Sequence, residues 1–371
     1  KGIDNVSYYY LTGADGSKEF YYDYTGCGNT FNCNHPVGEK LIIDSLRFWV
    51  EEMHVDGFRF DEGSVLSRGE DGAPMEHPPV IWSIELDDLL GQSKVIAEAW
   101  DAAGLYQIGG FPGARWAEWN GKYRDCIRNF VKGEPGIIGE VAGRITGSAD
   151  LYQDRHHEPT NSVNFITAHD GFTLYDLTAY NEKHNWANGE GNNDGIDDNC
   201  SWNCGAEGET EDQWINDLRK RQIKNFATIH MLSMGVPMMV AGDEFMRSQG
   251  GNNNTYCHDN ELNWFNWDDI GSTRSKEMIR FWSMVMEKRK RFINHFKGRY
   301  FTGAINKYGL YDVSWHGTKL NQPGWDDPDA RCLGMTLGDT AEDTDQTGNI
   351  HVMFNMYWEG VEFEIPEIKG L

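Results

Sequence analysis

The sequence has no apolar run long enough to cross a bilayer. The stretch from Met231 to Gly242 is broken by Gly235 and Pro237, far short of the roughly 20 apolar residues that a spanning helix needs. It has little positive charge: 33 Lys and Arg stand against 58 Asp and Glu, a formal net charge of −25. Nucleic-acid binders need a basic footprint, so DNA and RNA are not expected as partners. An acidic surface does not repel a neutral polymer. The seven cysteines (27, 33, 126, 200, 204, 257 and 332) include no C-x-x-C pair. No histidine spacing completes a zinc set, so no metal is expected. An odd cysteine count in a chain too large to need staples fits reduced thiols of a cytosolic or plastid compartment. Gly26-Cys27-Gly28 lacks the G-x-G-x-x-G spacing of a dinucleotide loop, and no cofactor is expected. The start, Lys1-Gly2-Ile3, has neither an initiator methionine nor the pattern of a signal or transit peptide, so the chain is expected to begin inside a larger protein. Sequons at Asn5, Asn199 and Asn253 matter only if the chain is secreted.

What the sequence does have is length for one large domain and a smaller one, 371 residues, and a pattern that repeats. Residues 1–34 read as loop. Leu41, Ile42, Leu46, Trp49 and Val50 recur at helical spacing after Pro36, which predicts a helix over about 36–53. Short apolar strands are expected over 55–61, 94–100, 115–119, 163–170 and 237–244, with helices over 79–90, 121–132, 213–233 and 275–295 and a polar insertion over roughly 180–210. Beyond residue 297 helical patterns give way to short alternating runs, such as 351–357 and 361–365, which read as a β-domain. Strand–helix alternation over some 240 residues is the pattern of parallel βα units. The expected fold is α/β: a partial TIM (β/α)8 barrel over residues 1–297, about strands 4–8 with the first three units missing, then an antiparallel β-sandwich domain over 298–371.

Three of the expected strands end in acid: Asp61, Glu98 and Asp170. The C-terminal ends of barrel strands are where such folds build their active sites. Glycoside hydrolysis needs two carboxyls across the scissile bond, one ionised and one able to give a proton. Arg59 shares a strand face with Asp61, being two residues away, and a cation there favours the ionised form. Glu98 has apolar neighbours in Ala97, Ala99 and Trp100; desolvation is expected to favour its protonated form, suited to a donor. His169 is a candidate hydrogen-bond donor to sugar hydroxyls. Trp119, at a strand end, offers a ring that either stacks on glucose or belongs to the core. Asp243-Glu244 ends the last strand, either lining the site or forming a structural charge pair. The Asn-rich loop 252–260 reads as a rim loop or a plain surface turn.

Phe58-Arg59-Phe60-Asp61, Ala97-Glu98-Ala99-Trp100 and residues 165–170 resemble three conserved segments of glycoside hydrolase family 13, the α-amylase family. The wider context is similar to isoamylases and bacterial glycogen debranching enzymes: residues 24–30, Cys33-Asn34-His35-Pro36, residues 201–205 and the loop from Asn252 to Phe265, with Tyr256 in it. The resemblance runs from about residue 5 to 295. It implies a retaining double displacement at α-1,6 branch points of glycogen or amylopectin. Asp61 would be the nucleophile, Glu98 the acid/base and Asp170 the transition-state partner, with Arg59, His169, His35, Trp119 and Tyr256 as substrate contacts. It implies branched α-glucan (glycogen, amylopectin, limit dextrins) as partner, no membrane or nucleic acid, and the bacterial cytoplasm or, for a plant or alga, the plastid stroma; a homo-oligomer is compatible with it. The family's first conserved segment is absent. Val65 stands where many amylases carry His or Lys, a departure shared by isoamylase-type members. Glu62 follows the nucleophile position without an assignable role. The alternatives are an α-1,4-glucan hydrolase or transglycosylase of the same family, and a non-catalytic glucan-binding subunit.

Overall fold

The structure is a computed structural model that describes residues 2–13, 16–296, 298–306, 308–338 and 348–367. By packing, the chain divides into two compact units: residues 1–120 with 151–163, and residues 121–150 with 164–371. No helix among the described residues is long and apolar enough to cross a membrane.

In the first unit, helix α1 (Pro36–Glu51) starts at His35, whose ring nitrogen accepts the Val37 N–H at 3.3 Å. Pro36 follows at the first helical position, where a missing N–H costs nothing. The strands β1 (Gly57–Phe60), β2 (Lys94–Ala97) and β3 (Ala117–Asn120) pair in parallel in that order. Helix α2 (Pro79–Leu86) lies between β1 and β2 in sequence. Its Val80, Ile81 and Ile84 are buried with Leu90, Val95, Phe111 and Trp116 in one apolar core. Burying each of the larger aliphatic side chains is worth about 1.5–3 kcal/mol. The strand β4 (Ser162–Phe165) has residues in both units.

The second unit has its own core. Helix α3 (Gly121–Lys132) buries Tyr123, Ile127, Phe130 and Val131, the three-and-four spacing of one helix face. Helix α4 (Ile138–Ile145) buries Ile138, Val141, Ala142 and Ile145 in the same way. The long helix α5 (Gln213–Leu232) is capped by Asp212, which accepts the N–H groups of Trp214 and Ile215. It is followed by β5 (Val236–Met238) and α6 (Thr273–Phe296). Three antiparallel strands complete the unit: β6 (Ser314–His316), β7 (Cys332–Leu337) and β8 (Ile350–Asn355), with β7 in the middle.

Three expectations need correction. The composition shift near 297 is not where the chain divides by packing. Leu333, Met335, Leu337 and Phe354 share a core with Phe130, Phe226 and Trp282, so the C-terminal strands sit on the helices of their own unit. Among the described residues those strands form one three-stranded sheet rather than two facing ones. The run 361–365, read as a strand, carries no ladder, although the Glu364 N–H reaches the Thr318 carbonyl at 2.9 Å. The architecture is therefore α/β, with parallel strands in the first unit and an antiparallel sheet in the second. All seven cysteines are free. Asn199 and Asn253 are 3% and 2% exposed, so neither sequon is presented in the folded chain.

Candidate active site

The parallel register sets the site. Phe60 pairs with Ala97, and Ala97 with Glu118. One residue further along each strand, Asp61, Glu98 and Trp119 are neighbours at the same, C-terminal, edge. Register partners point to the same face and successive residues alternate. Arg59, Asp61, Glu98 and Trp119 therefore share one face, and Glu118 turns to the other.

The side chains follow that parity. The Arg59 guanidinium forms an ion pair with Asp61 through Nη1 and with Glu98 through Nη2, the latter at 2.9 Å. The two carboxylates are thus one guanidinium apart. Their settings differ sharply: the Asp61 side chain is 76% exposed and that of Glu98 only 8%. Beneath them the Arg59 guanidinium carbon lies 4.2 Å from the centre of the Trp119 ring, a cation–π contact. Trp119 is buried and this face is taken. It acts as the floor that aims Arg59, so of the two readings of this ring the burial favours core over a platform for glucose. The neighbourhood of Glu98 is likewise more polar than its flanking alanines imply. Besides Arg59, its Oε2 accepts the Glu62 N–H at 2.8 Å.

Glu62 is the residue whose role the sequence concealed. It has φ 42°, the left-handed region, which swings the chain straight from β1 into the buried 310 turn Gly63–Ser67. That turn passes so close to β2 that a Cβ on Gly63 would lie 3.1 Å from the Glu98 carbonyl oxygen. Burial, and then the charges of Asp61 and Glu98, push the Glu62 carboxyl up to about 7. Its charge state therefore changes near neutrality, beside the acidic pair. An ionised neighbour helps an acid keep its proton. Glu62→Gln is expected to move the alkaline limb of the pH–activity profile down by about half a unit to one unit while leaving the fold intact. An unmoved limb in a rate profile from pH 4 to 9 would deny the coupling.

The loops behind these strand ends are stapled together. The Asn34 amide donates to the Leu66 and Arg68 carbonyls at 2.8 and 2.7 Å, and its oxygen accepts the Val80 N–H. Arg68, stacked 4.0 Å from the Tyr24 ring centre, forms a buried ion pair with Asp101 at 2.6 Å. Breaking one half of such a pair typically costs about 3–5 kcal/mol, so the loops after β1 and β2 are held together. On the opposite strand face Glu118 accepts the Gly109 and Phe111 N–H groups at 2.6 and 3.3 Å, and burial raises its carboxyl to about 7. It is a structural acid. His35 caps α1, as described above.

The second unit carries His169 and Asp170. They lie beyond the end of β4 at Phe165, in a loop, not in the longer strand expected. His169 Nε2 and Asp170 Oδ2 are 3.3 Å apart, and both side chains are exposed. Two buried ionic groups fix this segment on either side. Arg128 donates to the Ile166 carbonyl through Nε and Nη2 at 2.9 and 2.6 Å and to the Asn199 carbonyl at 3.1 Å. Asp243 accepts the Thr167 hydroxyl and, at 2.9 Å, the Leu174 N–H. Burial lowers Arg128 to about 9 and raises Asp243 to about 6. Asp243 thus holds the Asp170 loop and is not paired as a charge with Glu244. Tyr256, 68% exposed, rides on the Asn-rich loop, which is no plain surface turn. Asn253 exchanges hydrogen bonds with Asn185, Asn252 donates to Asn188 and Asn254 to Asp194, all between 2.7 and 3.0 Å. These bonds tie the loop to the long polar insertion.

Over essentially its whole length the chain aligns with relatives named as isoamylases and glycogen-operon proteins. It is 47% identical over 374 residues to "Isoamylase 3, chloroplastic" of Oryza sativa, covering 99% of this chain and 44% of that protein. It is 43% identical over 380 residues to "Glycogen operon protein GlgX homolog" of Mycobacterium bovis, covering 99% and 52%. It is a homologue of isoamylases and glycogen debranching enzymes. A further relative, "Glycogen debranching enzyme" of Serratia proteamaculans, is 48% identical over 268 residues, covering 72% of this chain and 40% of that one. The chain spans about half the length of these relatives. Among solved structures, a Paenibacillus barengoltzii pullulanase described as a complex with maltohexaose and alpha-cyclodextrin has a TM-score of 0.66 at 22% identity, covering 96% of this chain and 49% of that one. That likeness shows a shared fold. No family model matches the chain.

Proposed function

We propose that this chain carries the catalytic carboxylates of a hydrolase that cleaves α-1,6-glucosidic branch points of glycogen or amylopectin by a retaining double displacement. The observation that carries the reading is the acidic pair on one guanidinium, at register-matched ends of parallel strands. Asp61, exposed beside Arg59, attacks the anomeric carbon and forms a covalent glucosyl ester. Glu98, mostly buried, gives its proton to the departing 6-oxygen. It then takes a proton from the water that attacks the ester, and that water's oxygen ends on the anomeric carbon with the original configuration. Asp170 and His169 are assigned to holding sugar hydroxyls, and Tyr256 to the glucan rim. The same reading makes the five strands β1 to β5 about strands 4–8 of a (β/α)8 barrel. The relatives described as chloroplastic support a plastid stroma for a plant or alga; for a bacterial source the same reading places the protein in the cytoplasm.

Product analysis tests the bond. Incubated with amylopectin, the protein is expected to release linear maltooligosaccharides and reducing ends without shortening amylose. Cleavage of amylose with branched glucan untouched would assign it to α-1,4 chemistry instead. Absence of turnover on either, with glucan still bound, would make it a binding subunit.

A further inference from the structure

Four aromatic rings of the second unit surround an open groove of about 620 Å³. Trp202 comes from the polar insertion, Trp214 from the first turn of α5, and Tyr357 with Trp358 from the turn after β8. None of the candidate catalytic residues lines it. Trp214 and Trp358 are each 71% exposed, and Trp202 and Tyr357 each 36%. Leaving rings of this size in water is unfavourable and marks a surface made to be covered.

The arrangement is built rather than accidental. The Tyr357 and Trp358 rings stack with centroids 3.7 Å apart. The Arg331 guanidinium carbon lies 5.5 Å from the Trp358 centre, and its Nε donates to the Gly133 carbonyl at 2.9 Å. Trp214, Arg221 and Asn225 recur along one face of α5. Planar rings and planar hydrogen-bonding groups thus line the same groove. A pyranose has the complementary surface: an apolar C–H face that lies on an aromatic ring, edged by hydroxyls that meet amides and guanidinium groups. That pairing of ring faces with amide and guanidinium donors is what selects a hydroxylated polymer as the occupant.

We propose that this groove is a non-catalytic binding site for a linear stretch of α-glucan, which tethers the protein to its polymer. The choice of glucan rests on the function proposed above; the binding itself needs no turnover. The test is electrophoretic mobility in native gels containing amylopectin, in a Glu98→Gln background so that hydrolysis is slowed by orders of magnitude. Trp214→Ala with Trp358→Ala is expected to weaken retardation about tenfold or more, and Trp214→Phe to restore part of it, because a ring face remains. With Glu98 intact, the double variant should hydrolyse a short branched maltooligosaccharide at the wild-type rate. Retardation equal to that of the parent would overturn the proposal. So would a matching loss of short-substrate hydrolysis, or dimer dissociation as the only change. Failure of hydrolysis in every form, with ring-dependent retardation kept, would count against the catalytic reading and leave the groove standing.

Discussion

Asp61→Asn is expected to lower turnover on amylopectin by at least about 10⁴-fold, the scale on which enzymes lose an activated nucleophile. The side chain is open to solvent and held by Arg59, so the amide is accommodated without packing cost and the loss falls on chemistry. Asparagine cannot form the glucosyl ester. The smaller Asp61→Gly leaves space for an external anion. With azide and a glucosyl donor carrying a good leaving group, it is expected to release a glucosyl azide of inverted configuration, formed by one displacement instead of two. Retention of a tenth or more of wild-type turnover by Asp61→Asn would remove this residue from the attacking position.

Glu98→Gln is expected to cost about 10²–10⁴-fold in turnover, the usual contribution of a positioned acid or base. Its signature separates it from a folding defect. The loss should be largest for natural branch points, whose 6-oxygen needs a proton to leave, and much smaller for glucosyl fluoride, whose fluoride leaves without one. Binding of glucan, read by gel retardation, should persist. The Oε2 that accepts from Glu62 has a glutamine counterpart able to accept the same N–H, so the turn after β1 stays in place. An equal loss on both substrates would mean that Glu98 acts on structure, not on proton transfer.

Much of the fold was legible because periodicity survives in the sequence. The helix expected over 121–132 is Gly121–Lys132, and the strands ending near Asp61 and Glu98 lie where apolar runs meet acid. The strands are shorter than their apolar runs, however. Ile166 is buried but lies outside β4, since apolar composition reports burial and not where a ladder stops. Helix Ile138–Ile145 escaped notice because it is eight residues long and holds Gly139 and Gly143, which weaken any helical signal. The site divides in the same way. The placing of Asp61 and Glu98 at neighbouring strand ends was readable from residue type and position, and the register sets them side by side. The parts played by Glu62, Trp119, Arg128 and Asp243 were not, because each depends on a partner from a distant segment: a backbone N–H aimed at Glu98, a guanidinium laid over a ring, a carbonyl or hydroxyl on the Asp170 loop.

Glu98 and Glu118 sit on adjoining strands, both largely removed from water, one engaged with Arg59 and the other with backbone amides. Which acid faces which way depends only on odd-or-even count along each strand. Deleting or inserting one residue within Lys94–Ala97 would rotate Glu98 into the packed side and bring an alanine to face Arg59. Length changes in this lineage should therefore be confined to the turns that follow the strands, and the four-residue strands themselves can diverge in composition but not in number.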